Sequence, residues 1–153
     1  MIELLLLLNI CTMNTFSTME NPELFTLSNE SIISWDVKSD LITLNSTNSD
    51  CDVKIKYIPY FYELYGYYDG YDNIFVTTFD QNGMKRDMRF VEVILKHEIG
   101  HAIGLPHWIG DHGSREYEPY MAKQSIMYPM ASPDDFDRDI TDYDVDLINR
   151  YVE

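Results

Sequence analysis

Between Val53 and Ile58 apolar residues alternate with lysines (Val53, Lys54, Ile55, Lys56, Tyr57, Ile58), the period-two mark of a strand with one buried and one wet face. Pro59 ends that run. Residues 41–44 suit a second strand. Asn73, Ile74, Phe75, Val76, Thr77, Thr78 and Phe79 suit a third, closed by the turn-forming Asp80, Gln81, Asn82 and Gly83. Between the last two strands, residues 60–72 read as a tyrosine-rich loop punctuated by Gly66 and Gly70. Residues 31–38 read as the end of a helix that carries Trp35 inward. After Asp87, a good N-cap, the period becomes helical. Phe90, Val91, Ile94 and Leu95 lead along one face into His97 and His101. A closing helix is predicted after Thr141, with Asp144 completing an acidic variant of the capping box and Val145, Ile148 and Val152 as its apolar stripe. Strands first, then a helix, an irregular stretch and a last helix make an α+β layout.

The first 30 residues fit that pattern less well. Residues 4–8 are an unbroken leucine run, preceded by Glu3 and followed by no Lys or Arg before Lys38. Two readings stand: the core of a signal peptide without its positive flank, or a buried first strand or helix. The chain accordingly divides into residues 1–30, a leader or first structural element, and residues 31–153, one catalytic-size domain. Cys11 and Cys51 could pair, or Cys11 could leave with a leader.

A net charge of -15 argues against nucleic acid and anionic membrane as partners. Much of the acid lies between residues 134 and 146, where a solvated outer face explains it. No apolar run reaches the length of a membrane span.

The chemistry is concentrated in residues 97–107, which hold three of the four histidines: His97, Glu98, Ile99, Gly100, His101, Ala102, Ile103, Gly104, Leu105, Pro106, His107. This is H-E-x-x-H-x-x-G-x-x-H. On a helix, residues four apart differ by about 40° around the axis, so His97 and His101 can share one metal ion. Glu98, about 100° away, can serve as a base without being a ligand. Gly104 can adopt the left-handed conformation that ends a helix and returns His107 as third ligand. Three protein ligands with a fourth position open define a catalytic rather than a structural zinc site.

Ser125, Ile126, Met127, Tyr128 and Pro129 follow about twenty residues later. The long zinc motif plus this S-I-M-Y-P segment resembles the metzincin metallopeptidases, and within them the matrixin-like group; the resemblance is carried from about Asp87 to the end. It implies a metzincin-like α+β fold: a twisted mixed sheet packed on an active-site helix, with a Met-turn and a C-terminal helix. It further implies one catalytic Zn2+ on His97, His101 and His107, Met127 as an apolar floor beneath them, and Glu98 as general base in peptide-bond hydrolysis. The expected partner is a peptide or protein, the expected setting extracellular, and the expected state a monomer. In that family the strand before the active-site helix is taken as the substrate-holding edge, which places Ile74, Phe75, Val76, Thr77, Thr78 and Phe79 beside an extended peptide.

The chain also departs from the pattern. Trp108 stands where matrixins carry a small serine, and Pro129-Met130-Ala131 lacks the tyrosine of the family's pocket wall. No cysteine-switch segment is present, and the histidines needed for a second, structural zinc are missing. Pro129 occupies the place of the zinc-touching tyrosine of astacin-type relatives, so Tyr128 takes no ligand role. Ca2+ at Asp69, Asp72 or Asp80 competes with plain turn roles for those residues. His112 rivals His107 as third ligand, and Glu116 or Glu118 would make a gluzincin-like set. The competing function is a catalytically inactive zinc- or peptide-binding module on the same fold, which the short N-terminal half favours and Glu98 opposes.

Overall fold

In the computed structural model, which describes residues 5–61, 64–107, 125–129, 136 and 138–152, the alternating strand pairs in parallel with the strand before the zinc motif, Ile55 opposite Ile74 and Tyr57 opposite Val76. The elements run β1 (Leu6–Thr12), α1 (Phe16–Glu20), α2 (Glu23–Asp36), β2 (Ile42–Ser46), β3 (Val53–Ile58), β4 (Gly66–Tyr68), β5 (Asn73–Thr77), α3 (Met88–Ile103) and α4 (Asp142–Tyr151). The architecture is α+β, with one five-stranded mixed sheet in the order β2-β1-β3-β5-β4. Strands β1, β2, β3 and β5 are parallel; β4 pairs antiparallel to β5.

The period-two pattern of β3 is realised residue by residue. Val53, Ile55 and Tyr57 are buried, while the lysines between them are only half-buried. Tyr57 can lie fully inside because its hydroxyl bonds Ser28 Oγ at 2.7 Å, which leaves no orphaned polar atom. Helices α2 and α3 lie side by side, α2 over β2 and α3 over β5 and β4. Trp35, completely buried, fastens them by donating its indole N–H to the Lys96 carbonyl at 2.8 Å.

The N-terminal run takes the strand reading. β1 sits between β2 and β3, with Ile10 and Cys11 in the core and Leu7 turned outward. The predicted division after residue 30 is corrected, since that point falls inside α2, whose Leu24, Leu27, Ile32 and Trp35 share one core with the strands. The N-terminal half is also less abbreviated than expected, because α2 alone is a 14-residue helix. A disulfide joins Cys11 on β1 to Cys51 at the approach to β3.

Two further expectations are corrected. The tyrosine-rich loop contains a strand, β4, and the predicted substrate edge is not an edge. β5 is hydrogen-bonded on both sides, to β3 and to β4, and Ile74, Val76, Thr77 and Thr78 are buried. The strand ends at Thr77, and Phe79 lies beyond it in an isolated bridge with Lys85. β4 is the outermost strand on that side. On α4 the buried stripe is Asp144, Leu147 and Ile148, with Val145 and Val152 only partly covered. The stripe is rotated because Asp144 is drawn inward by hydrogen-bond donors. Among the described residues no helix is long and apolar enough to cross a membrane.

Candidate metal centre

Helix α3 starts where its cap dictates: Asp87 accepts the Arg89 amide at 2.8 Å. It ends at Gly104, whose φ of 111° is the left-handed conformation that a Cβ would strain. The Leu105 amide then bonds back to the Gly100 carbonyl at 3.0 Å, closing the helix end. That turn places two things at once. The Leu105 carbonyl accepts the His101 Nδ1–H at 2.8 Å, and His107 swings round to face the helix.

His97 is oriented in the same way from the other side. Its Nδ1–H donates to the Ile126 carbonyl at 2.6 Å. With Nδ1 protonated on both rings, their Nε2 lone pairs point inward, the tautomer a metal ligand needs. His97 Nε2 lies 3.1 Å from His101 Nε2 and 3.2 Å from His107 Nε2. Tetrahedral zinc with Zn–N bonds of about 2.0–2.1 Å would hold its nitrogens about 3.3–3.4 Å apart. Inward-pointing lone pairs this close repel each other unless a cation lies among them, so the residues fit the ion. Burial lowers the pKa of all three histidines, His97 to about 4, which keeps the imidazoles neutral.

Met127, fully buried, lies under the helix at Gly100. A Cβ on Gly100 would overlap Met127 Sδ and stand 3.1 Å from Trp35 Cζ2, so glycine is what admits the thioether to this position. The turn bearing Met127 is held by α4. The Asp144 carboxylate accepts the Ser125 hydroxyl, the Ile126 amide at 3.2 Å and the Met127 amide at 3.3 Å. The same carboxylate accepts the Thr141 amide and hydroxyl at 2.8 and 2.9 Å, completing the predicted cap.

Glu98 is buried beside the histidines, and burial raises its carboxyl to about 7 against the opposing hydrogen bond from the Tyr68 backbone amide. That bond follows from the β4 register. Tyr65 and Asp69 bond towards β5, through Thr77 N–H to Tyr65 O at 2.9 Å and Asp69 N–H to Asn73 O at 3.0 Å. Antiparallel alternation therefore turns the backbone groups of Gly66 and Tyr68 away from β5. A Cβ on Gly66 would meet Ile94 Cγ2 and Phe75 O, both at 2.7 Å, so glycine lets this strand lie against α3 beside Glu98. A cavity of about 310 Å³ opens between β4, α3 and the Met127 turn.

The structure gathers His97, His101 and His107, with Glu98 on the same helix and Met127 beneath it at Gly100. It does not bring Ile74 to Phe79 to an open edge. Gly66, Tyr68, Gly100 and Asp144 were not legible as site residues; only the cap role of Asp144 could be read. Asp69 Oδ1 is engaged by the amides of Tyr71, Asp72 and Asn73, and Asp80 Oδ1 by those of Asn82 and Met84, which are turn roles. Trp108, His112, Glu116, Glu118, Met130 and Ala131 lie outside the described residues. Compared with models of known protein families and with curated proteins, the chain gives no match.

Proposed function

We propose that this protein is a zinc-dependent endopeptidase of the metzincin, matrixin-like kind. The observation that carries the reading is the convergence of three imidazoles, 3.1 and 3.2 Å apart at Nε2, with a buried carboxylate one residue along the same helix. A structural zinc site has no use for that carboxylate. Zinc, when bound, supplies the Lewis acidity that polarises a carbonyl and acidifies water. His97, His101 and His107 hold the ion. Glu98 takes the proton of the attacking water and returns it to the leaving amine. The Ile126 carbonyl fixes His97, and Met127 packs beneath the same helix at Gly100. An extended peptide adds along β4, the outermost strand on that side, where the backbone groups of Gly66 face away from β5. The Cys11–Cys51 disulfide supports an oxidising, extracellular setting.

The test combines metal analysis with digestion of a diverse peptide library. One zinc per chain that is lost in His107→Ala but kept in His112→Ala identifies the third ligand. Glu98→Ala should retain zinc and lose cleavage; equal cleavage by both proteins would sink the mechanism. Zinc and peptide binding without any cleavage by the wild type would instead establish a binding module.

A further inference from the structure

The chain holds two Asn-x-Ser/Thr triplets, Asn29-Glu30-Ser31 and Asn45-Ser46-Thr47, the acceptor pattern for an N-linked glycan. Separate in sequence, they meet in the fold. Asn45 lies on β2 and Asn29 on α2, and the Ser46 hydroxyl donates to Asn29 Oδ1. Both asparagines are exposed. They flank the strand from opposite faces. Ser46 shares strand spacing with Ile42 and Leu44, which are buried under α2, so Asn29 stands on the helix side. Asn45 points to the other face, where its Nδ2 donates to Asn9 Oδ1 at 3.2 Å across the pairing with β1. Among the described residues β2 is the outermost strand at the end of the sheet away from β4, and it pairs with β1 alone. Leu7, 56% exposed, lies on the Asn45 face two places before Asn9.

We propose that Asn45 and Asn29 are N-glycosylation sites whose glycans screen the β2 edge from both faces. The inference rests on the extracellular setting argued from the disulfide, not on the peptidase chemistry. In the transfer, the side-chain nitrogen displaces the diphosphate of a lipid-linked oligosaccharide. A bond forms from Nδ2 to the sugar C1, the C1–O bond to the diphosphate breaks, and the amide gives up one proton and keeps the other. Each asparagine accommodates that change. Asn29 turns its Oδ1 to Ser46, which leaves Nδ2 to carry the sugar. Asn45 keeps one N–H for Asn9 Oδ1. Their exposure gives each glycan room in solvent. An outermost strand is a template for pairing with another chain, and the exposed Leu7 beside it adds apolar attraction. Bulky, hydrated sugars on both faces keep a second chain from that edge.

The experiment expresses the full chain behind a cleavable secretion signal in a eukaryotic host. The secreted protein is treated with a glycosidase that releases N-glycans and converts each occupied asparagine to aspartate. Peptide mass spectrometry should find enzyme-dependent Asn45→Asp and Asn29→Asp conversion. Asn45→Gln and Asn29→Gln should each remove one step of the electrophoretic shift, and together the whole of it; Thr47→Ser, which keeps the triplet, should retain it. Absence of conversion at either asparagine, or a shift that persists in the double variant, would overturn the proposal. The wild-type mass analysis decides this on its own if a variant does not fold. In sedimentation, enzymatically deglycosylated protein should self-associate at concentrations where the glycosylated protein stays monomeric; identical behaviour would overturn the screening role. Free thiols on Cys11 and Cys51 in the secreted protein would defeat the extracellular setting and the proposal with it. Unoccupied asparagines in a protein that cleaves peptides would defeat the glycan sites and leave the peptidase standing, whereas occupied asparagines without cleavage would do the reverse.

Discussion

Asp144 on the closing helix holds Ser125 at the head of the Met127 turn by accepting its hydroxyl, 19 residues away in sequence and completely buried. The same carboxylate takes the Ile126 amide, and the Ile126 carbonyl takes the Nδ1–H of His97. One side chain on α4 therefore orients His97, a proposed metal ligand on α3, through a single intervening peptide. Asp144→Ala should destabilise the protein by about 3 kcal/mol or more, because several buried donors lose their acceptor. It should also weaken zinc binding about 10- to 100-fold, the usual effect of removing support behind a ligand. Asp144→Asn, which keeps one carbonyl oxygen, should fall between. Denaturant melts and competition against a zinc chelator measure the two effects separately.

Metal binding should be visible in thermal stability. An ion that binds only the folded chain stabilises it by about 4 kcal/mol at a thousandfold excess over Kd. For a domain of this size that corresponds to a rise in Tm of about 8–16 °C. Chelation should reverse the rise, and His97→Ala should abolish it. A melting temperature indifferent to zinc would contradict the site.

Gly100→Ala tests the approach of Met127 to α3. The new methyl would collide with Met127 Sδ from one side and crowd Trp35 from the other. The expected cost is about 1–3 kcal/mol, as for other overpacked cores. Gly100→Ala combined with Met127→Ala should recover part of that loss, a non-additivity that a double-mutant cycle reads directly.

Gly66→Ala addresses the edge strand. Its added carbon would meet Ile94 Cγ2 and the Phe75 carbonyl at 2.7 Å, so β4 must move away from α3. Peptide cleavage should fall through a higher KM, with zinc content unchanged, since no ligand lies on β4. Loss of zinc with loss of activity would show a general collapse instead.

Acid stability has a local contribution from the β4–β5 turn. Hydrogen bonds from the Asn73 side chain and backbone, with those of Tyr71 and Asp72, hold Asp69 down to about 2 from the usual 3.8. The sign follows: a carboxylate depressed by folding stabilises above its unfolded pKa and loses that contribution as pH falls from 3.8 through about 2. An NMR titration of the Asp69 carboxyl should show a midpoint well below that of a free aspartate. Asn73→Ala should move it back up.

What could be read in the chain was local. The alternation of β3, the Asp87 cap, the left-handed end at Gly104 and the Thr141–Asp144 capping box each depend on residues within one turn or one strand, and each formed. The proposed ligand set was legible for the same reason, since the spacing of His97 and His101 is a property of the helix and Gly104 needs only its own φ. Strand order was not legible. β4 is three residues long and rich in tyrosine, and only its pairing with β5 makes it a strand and makes β5 an interior one. Nor could the leucine run be placed, because an apolar strand and a leader core have the same composition; in the fold Leu6 pairs with Ile42 and Ile10 with Val53, which makes residues 6–12 a strand. Gly100 and the second use of Asp144 were silent in sequence because each acquires its role from an atom far along the chain, and Gly66 because its role depends on the packing of β4 against α3. The motif spacing alone singled out His97, Glu98, His101 and His107 as candidates; the packing of α3, β4 and α4 set which strand flanks them and what holds His97 in place, since those depend on distances that only the folded chain sets.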